Sequence, residues 1–267
     1  MAISMTAAGG VAEVLIDSPP VNALTVRDWF DLAEAVTGAG RDPQTAVVIL
    51  MAAGRGFCAG VDIKELQREG HQAVIGCNRG CAAAFAAVYE CEVPVIAAVN
   101  GHCLGGGIGL AGNADIVIAD EAARFGLPEV DRGALGAATH LSRLVPAQLM
   151  RHMVYTCQPV SSRELLRHGS VYRVVPAAEL HAAARAVAAD IAAKNPYVIR
   201  LAKQSLNGID PVDVKRSYRF EQGFTFELNL SGVSDRARDD FIGRRSTPGE
   251  GSPQTPPQAA GDADFNT

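Results

Sequence analysis

Apolar and polar positions follow two different rhythms in the two halves of this chain. Val11–Ile16 is a β-rich apolar run, stopped by Ser18-Pro19-Pro20. Residues 26–37 then carry Trp29, Phe30, Leu32, Ala33 and Val36 at helical spacing, with Thr25 placed to cap the first turn. Residues 46–51 are apolar throughout, as in a strand buried on both faces, and lead into Gly54-Arg55-Gly56. The pattern predicts a long helix over 72–89, a buried strand over 94–99, a short helix over 106–111 and a strand over 115–119. Strands alternating with helices at this spacing argue for an α/β fold with parallel pairings.

The second half reads as helical. Ser161 with Glu164 forms a capping box for a helix through His168. Further helices are predicted over 177–194, 197–207 and 212–230, with one short strand over 171–175. From Thr247 onward almost no large apolar side chain occurs, so the tail 247–267 cannot bury enough surface to offset the entropy of ordering. No fixed-period repeat is visible.

Composition narrows the function classes. The 267 residues are 48% hydrophobic and 20% charged, enough for a sizeable core. A net charge of -5 argues against a bulk attraction to nucleic acid or to an anionic membrane. No apolar run reaches the roughly 18 residues that span a bilayer. Residues 1–10 lack the basic and apolar regions of a secretory signal. The six cysteines show neither CxxC nor paired Cys/His spacing, which points to reduced, mostly buried thiols in a cytoplasmic protein without a metal site.

Three turns carry candidate chemistry. Asn100-Gly101-His102-Cys103-Leu104-Gly105-Gly106-Gly107-Ile108-Gly109-Leu110 follows a buried strand and opens a helix, an arrangement that aims free N–H groups and a positive dipole end at one point. It lacks the Gly-Lys-Ser/Thr of a phosphate loop and the third glycine of a dinucleotide turn, and close helix–strand packing is its plain alternative. Arg55-Gly56-Phe57-Cys58-Ala59-Gly60-Val61-Asp62-Ile63-Lys64-Glu65 is a second turn of the same kind, so each could lend one N–H to a shared oxyanion. Phe125-Gly126-Leu127-Pro128-Glu129-Val130-Asp131-Arg132-Gly133 then sets an acid just beyond a fixed turn.

In this order, the three segments resemble the crotonase (enoyl-CoA hydratase/isomerase) superfamily over roughly residues 10–245. The resemblance implies a spiral of ββα units over 1–194 and a helical region over 195–246 that builds homotrimers, often paired as hexamers. It implies an acyl-CoA thioester as substrate, with coenzyme A as part of that substrate and no separate cofactor. Val61 and Gly106 match the oxyanion-hole positions. Ala59, Asp62 and Ile63 match the adenine and pantetheine path, while Arg55, Lys64, Arg244 and Arg245 are candidates for the phosphates, or else solvated surface charges.

The reaction class rests on side chains around that oxyanion hole. Hydratases of the superfamily use two carboxylates; Glu129 matches the second, whereas Gly109 stands where the first would be and Ala137 supplies no substitute. Asp131 and His140 are the polar groups nearest Glu129 in sequence and candidates to assist it, or else an ion-paired acid and a helix-start residue. The blocks around 29–33, 78–81, 125–129, 133–144 and 221–230 resemble one branch of the superfamily. Its members open the five-membered ring ketone of a bicyclic, steroid-derived CoA thioester by hydrolytic C–C cleavage. In that picture Glu129 activates the water. An enoyl-CoA hydratase or isomerase working on a fatty or branched acyl group is the alternative, and a silent module binding acyl-CoA or RNA is the third reading. Phe85, Val88, Tyr89 and Leu135 are candidates for a wide acyl pocket, or else simple core at helical spacing, and Gly109 leaves room for a large group or else serves helix packing.

Overall fold

Strands that are apolar on both faces need cover on both sides, and the helices between them supply it. The computed structural model describes residues 2–246, with the side chains of 244–246 set aside. A hairpin of β1 (Ile3–Ala8) and β2 (Val11–Ile16) leads to β3 (Ala23–Leu24) and α1 (Val26–Arg41). The next unit is β4 (Val47–Ala52), β5 (Gly60–Val61), α2 (Ile63–Glu69) and α3 (His71–Tyr89), followed by β6 (Val95–Val99), β7 (His102–Leu104) and α4 (Gly106–Asn113). A fourth unit has β8 (Ile116–Asp120), β9 (Arg124–Gly126), a 3-10 turn (Val130–Arg132), α5 (Ala138–Leu141) and α6 (Ala147–Thr156). Then come β10 (Val160–Ser161), α7 (Ser162–His168), β11 (Arg173–Val175), a second 3-10 turn (Ala177–Glu179) and the helices α8 (Leu180–Ala192), α9 (Pro196–Gly208), α10 (Val214–Leu230) and α11 (Val233–Ser246).

The leading strand of each unit enters one sheet, ordered β1-β2-β4-β6-β8-β11 and parallel except for the β1–β2 hairpin. The second strands form β3-β5 and β7-β9-β10, which a bridge between Cys58 and Cys103 joins edge to edge. Each unit therefore returns the chain to the same two ladders, one position further along. This is the expected α/β spiral of ββα units. Strand alternation splits the core between the faces of the large sheet. Val47, Ile49, Ile96, Ala98 and Ile118 pack on Leu180, Ala184 and Ala188 of α8, while Val48, Leu50, Val95 and Ala97 face Trp29, Leu32, Val36 and Val88.

Local chemistry sets the ends of α1. Thr25 accepts from Asp28 N (3.2 Å) and Asp28 accepts from Thr25 N (3.0 Å), a reciprocal cap. At α7 only half of the expected box forms, because Ser161 accepts from Glu164 N and no return bond is made. Three expectations are corrected by packing. Phe30 is 43% exposed and leaves the stripe of α1. Of the pocket candidates on α3, Val88 takes the core alternative, and Tyr89 turns away to donate to Asn207 O (3.2 Å). β1, α6 and α11 form although the apolar pattern did not predict them; β1 exposes all but Ile3, which leaves no alternation to read.

All six cysteines are free and five are buried, with burial pushing the Cys58 and Cys77 thiols up to about 12. Among the described residues no helix is long and apolar enough to cross a membrane, and no cluster of His, Cys, Asp and Glu could hold a metal. The expected phosphate candidates Arg244 and Arg245 and the tail 247–267 lie outside the residues whose side chains are described.

The C-terminal helices are tied into the sheet. Lys203 on α9 is 3% exposed and donates to both oxygens of Asp115 (2.8 Å each), whose carboxylate also accepts from Val95 N at 2.7 Å. Asp115 is itself open to water, so we expect Lys203→Met to cost about 1 kcal/mol in urea unfolding, the scale of a pair with one solvated partner. A change below the scatter of the measurement would show that the pair adds nothing to stability.

Candidate active site

Close backbone approach builds the site. Beyond β4, the loop through Phe57 and Cys58 is pinned by their full burial and returns as β5. Asp62 N donates to Leu24 O (2.9 Å), which holds Val61 in register beside β3. Gly105, at φ +56, ends β7 and begins α4, and Gly106 takes the first helical position, where an N–H has no partner within the helix. The positive end of the α4 dipole adds to that donor. A β-carbon on Gly60 would lie 3.1 Å from Gly106 N, and one on Gly106 would lie 2.6 Å from the Trp29 ring. Only glycine permits this approach.

Glu129 closes the third side. It follows β9 through Leu127-Pro128 and starts the 3-10 turn, its carbonyl accepting from Arg132 N and Ala134 N (2.9 Å each). Its carboxyl lies against the glycine turn, since a β-carbon on Gly105 would come within 2.6 Å of Oε1. The residue as a whole is half-buried, but Oε2 is fully buried and has no hydrogen-bond partner. Burial pushes this carboxyl up to about 8, and the charge of Glu221 adds to the rise; its own backbone N–H and Arg132 act in the opposite direction. Glu129 thus holds a proton near neutral pH and releases it readily, the property of a group that exchanges protons with substrate.

Val61, Gly106 and Glu129 line one cavity of about 110 Å³, whose remaining walls include Leu66, Cys81, Phe85, Leu135, Tyr218 and Thr225. A second cavity of about 760 Å³ shares Glu129, Leu135 and Gly136 and is walled by Leu127, Met150, Val154, Phe220 and Phe224. Glu129 therefore stands between a narrow compartment lined by Val61 and Gly106 and a wide, largely apolar one. No other carboxylate lines the narrow cavity among the described residues. The expected room at Gly109 is not there: a β-carbon would meet the Phe85 ring at 2.1 Å. That ring packs edge-on to Trp29 and against His140 and Tyr218.

The structure does not bring Asp131 or His140 into this cavity. Asp131 is exposed on the 3-10 turn and lies beside Cys157. His140 is 1% exposed behind Phe85 and Tyr218, both ring centroids 4.8 Å away, and it lines a separate cavity. Burial and the nearby Arg143 push its imidazole down to about 3, so it stays neutral. Ala59 donates to Asn22 O (3.1 Å), Asp62 caps α2 by accepting from Lys64 N (2.9 Å), and Ile63 begins that helix. Arg55 is exposed on the loop after β4, and Lys64 is exposed in the first turn of α2. These five residues flank Val61 in the chain but line neither cavity.

Sequence reasoning missed the face of α10. Tyr218, Gln222, Thr225 and Asn229 recur at helical spacing, and all but Gln222 line the narrow cavity. Gln222 holds the helix to α3 by donating to Asn78 O at 2.7 Å. The signal was a polar stripe buried where an apolar one would be expected.

Three comparisons bear on this arrangement. The family model for enoyl-CoA hydratase/isomerase matches residues 6–227. A (7aS)-7a-methyl-1,5-dioxo-2,3,5,6,7,7a-hexahydro-1H-indene-carboxyl-CoA hydrolase of Rhodococcus jostii (strain RHA1) is 63% identical over 244 residues, covering 91% of this chain and 95% of that protein. A protein of the same name from Mycobacterium tuberculosis (strain ATCC 25618 / H37Rv) is 61% identical over 240 residues, covering 90% and 97%. The crystal structure of an enoyl-CoA hydratase/isomerase from Pseudoalteromonas atlantica T6c superposes with a TM-score of 0.82 at 25% identity, covering 92% of this chain and 98% of that one.

The state of Glu129 can be read from stability alone. Its folded-state value, about 8, lies above the ordinary 4.5, so between those limits the folded chain binds a proton that the unfolded chain has lost. Stability contributed by this group is therefore complete below about 4.5 and declines as pH rises through 8. Glu129→Gln removes the dependence, and the variant should gain on the unaltered protein across that window in urea unfolding at stepped pH. A difference that is flat with pH would mean that Glu129 is solvated.

Proposed function

The chain belongs to the enoyl-CoA hydratase/isomerase family, and we propose that it is the ring-opening hydrolase of that family, acting on a bicyclic 1,5-dioxo-hexahydroindene CoA thioester. The observation that carries this reading is the Glu129 carboxyl, its Oε2 buried and without a partner, placed between a narrow cavity lined by Val61 and Gly106 and a wide, largely apolar one. Identity of 63% and 61% to proteins named for that reaction supports the substrate class.

The chemistry follows from the donors present. In the proposed pose the thioester oxygen sits between Val61 N–H and Gly106 N–H, while the fused rings extend past Glu129. Ionised Glu129 takes a proton from water as its oxygen adds to the five-membered-ring ketone. Collapse of the adduct breaks the bond from that carbon to the methyl-bearing ring-fusion carbon and leaves a new carboxylic acid. The bond's electron pair passes into the adjacent enone, and onto the thioester oxygen where the two groups are conjugated. Two preorganised amides at a helix N-terminus stabilise such charge, each worth about 3 kcal/mol in a water-excluded site. Protonated Glu129 then returns its proton to carbon, which balances the step.

Two features support hydrolysis over simple hydration. Hydration around one water is served by a base and an acid together, yet Glu129 is the single carboxylate of the narrow cavity. Phe85 fills the space beside Gly109 where a second acid would project. Ala59, Asp62, Ile63, Arg55 and Lys64 are the proposed CoA contacts, the last two for phosphates. Exposed apolar residues on α9 and α10, among them Tyr197, Leu206, Phe220 and Leu230, support assembly as a homotrimer or hexamer. Free, buried thiols support a cytoplasmic setting.

Incubation with the bicyclic CoA ester and with crotonyl-CoA tests the reading. Both routes add one water, so fragmentation must locate a new carboxylate in the bicyclic product, with turnover of crotonyl-CoA far slower. Efficient hydration of crotonyl-CoA with an inert bicyclic ester would reverse the assignment. Glu129→Gln should lower turnover by about 10²-fold or more, the scale of a general base. Because the base acts ionised, kcat/KM should climb with pH and level above about 8. A profile that falls over that range would remove Glu129 from the role of base.

A further inference from the structure

Glu221 sits on α10, more than 80 residues from the chain it binds. One carboxylate oxygen accepts from Ala138 N (2.8 Å), and the other accepts from Thr139 N and from Thr139 Oγ1 (3.1 Å each). One turn further along, Thr225 donates its hydroxyl to Leu135 O. Between these anchors Ala137 is held at φ +62, a left-handed conformation that side chains rarely adopt, at the start of a helix without a local side-chain cap. The same stretch begins where Ala134 N donates to Glu129 O (2.9 Å). Glu221 and Glu129 also share the wall of the wide cavity.

We propose that Glu221 is a positioning residue for the Glu129 step: it bolts residues 134–139 to α10 and so fixes both the cavity wall and the attitude of the Glu129 carboxyl. This rests on the reading of Glu129 as the base. A structural cap alone needs neither a shared cavity wall nor the direct backbone link from Ala134 to Glu129. Glu221 also acts on Glu129 through its charge, and its own carboxyl is raised by burial while the three donors of α5 oppose that rise. The other charged and titratable groups facing this region are Arg132 from the 3-10 turn, Arg238 from α11, Asp213, Arg216 and Tyr218 from the α10 segment, and the Cys77 and Cys81 thiols from α3. Arg238 is paired with Asn229 and Asp235.

The test uses the full-length protein and two substitutions. Glu221→Gln keeps the volume but removes the charge and one acceptor. We expect kcat to fall about tenfold, the scale of a slight misplacement of reacting groups, with KM for the bicyclic thioester changed by less than about twofold. The protonated carboxyl band of Glu129 in the infrared, identified by its loss in Glu129→Gln, should titrate at lower pH once the charge of Glu221 is gone. Thr139→Ala breaks one clamp bond and leaves both charges, so kcat should fall several-fold with the infrared midpoint unmoved. An unchanged kcat in either variant, or a slower Glu221→Gln with an unshifted midpoint, overturns the proposal. If Glu221→Gln does not fold, Thr139→Ala decides alone. The titration needs no substrate, so an error in the base assignment shows separately, as normal turnover in Glu129→Gln.

Discussion

A carboxylate removed from water without a hydrogen-bond partner is costly, and the usual escape is to keep its proton. Glu129 Oε2 is in that position, buried against the Gly105 turn. The surrounding chain makes the position tenable in two ways. It closes the Glu129 carbonyl with Arg132 N and Ala134 N, so the turn cannot relax to solvate the acid. It also sets opposing charges on either side, Arg132 lowering the proton affinity and Glu221 raising it. The outcome is a group that changes protonation close to neutral pH, in a cavity that it shares with Val61 and Gly106.

Glycine makes the geometry possible at a small number of points. Gly60, Gly105 and Gly106 bring β5, β7 and α4 into contact so close that a β-carbon on any of them would press on backbone, on Trp29 or on Glu129 itself. At Gly109 the same argument runs in reverse. The absent side chain is replaced by the Phe85 ring, which Trp29, His140 and Tyr218 hold from three sides. What the local sequence offers as space is occupied by a residue from another helix.

The polar groups that were plausible partners for Glu129 in sequence prove to have other surroundings. Asp131 is two residues away yet exposed, because a 3-10 turn rotates each successive side chain by about 120°. His140 is buried among aromatic rings, where the imidazole stays neutral. Proximity in sequence is a poor guide across a tight turn. The residues that do complete the cavity, Tyr218, Thr225 and Asn229, come from a helix about 90 residues further on.

The strands and helices of the first half were legible in the residues themselves, because burial on both faces leaves continuous apolar runs such as 46–51 and 94–99, and because Thr25 with Asp28 marks a helix start locally. The glycine turns and Glu129 were legible too, since backbone conformation and acid identity are properties of single positions. Tertiary structure decided the rest. That Val61 and Gly106 reach one cavity depends on strand pairing at Leu24 and Val61, and the proton affinity of Glu129 depends on burial in a cavity walled by Phe85 and α10, segments distant in the chain. Polar α11 and the exposed β1 left no apolar rhythm to read, because their form is settled by what they pack against. A sequence records its own side chains and turns; desolvation and convergence exist only once separate segments meet.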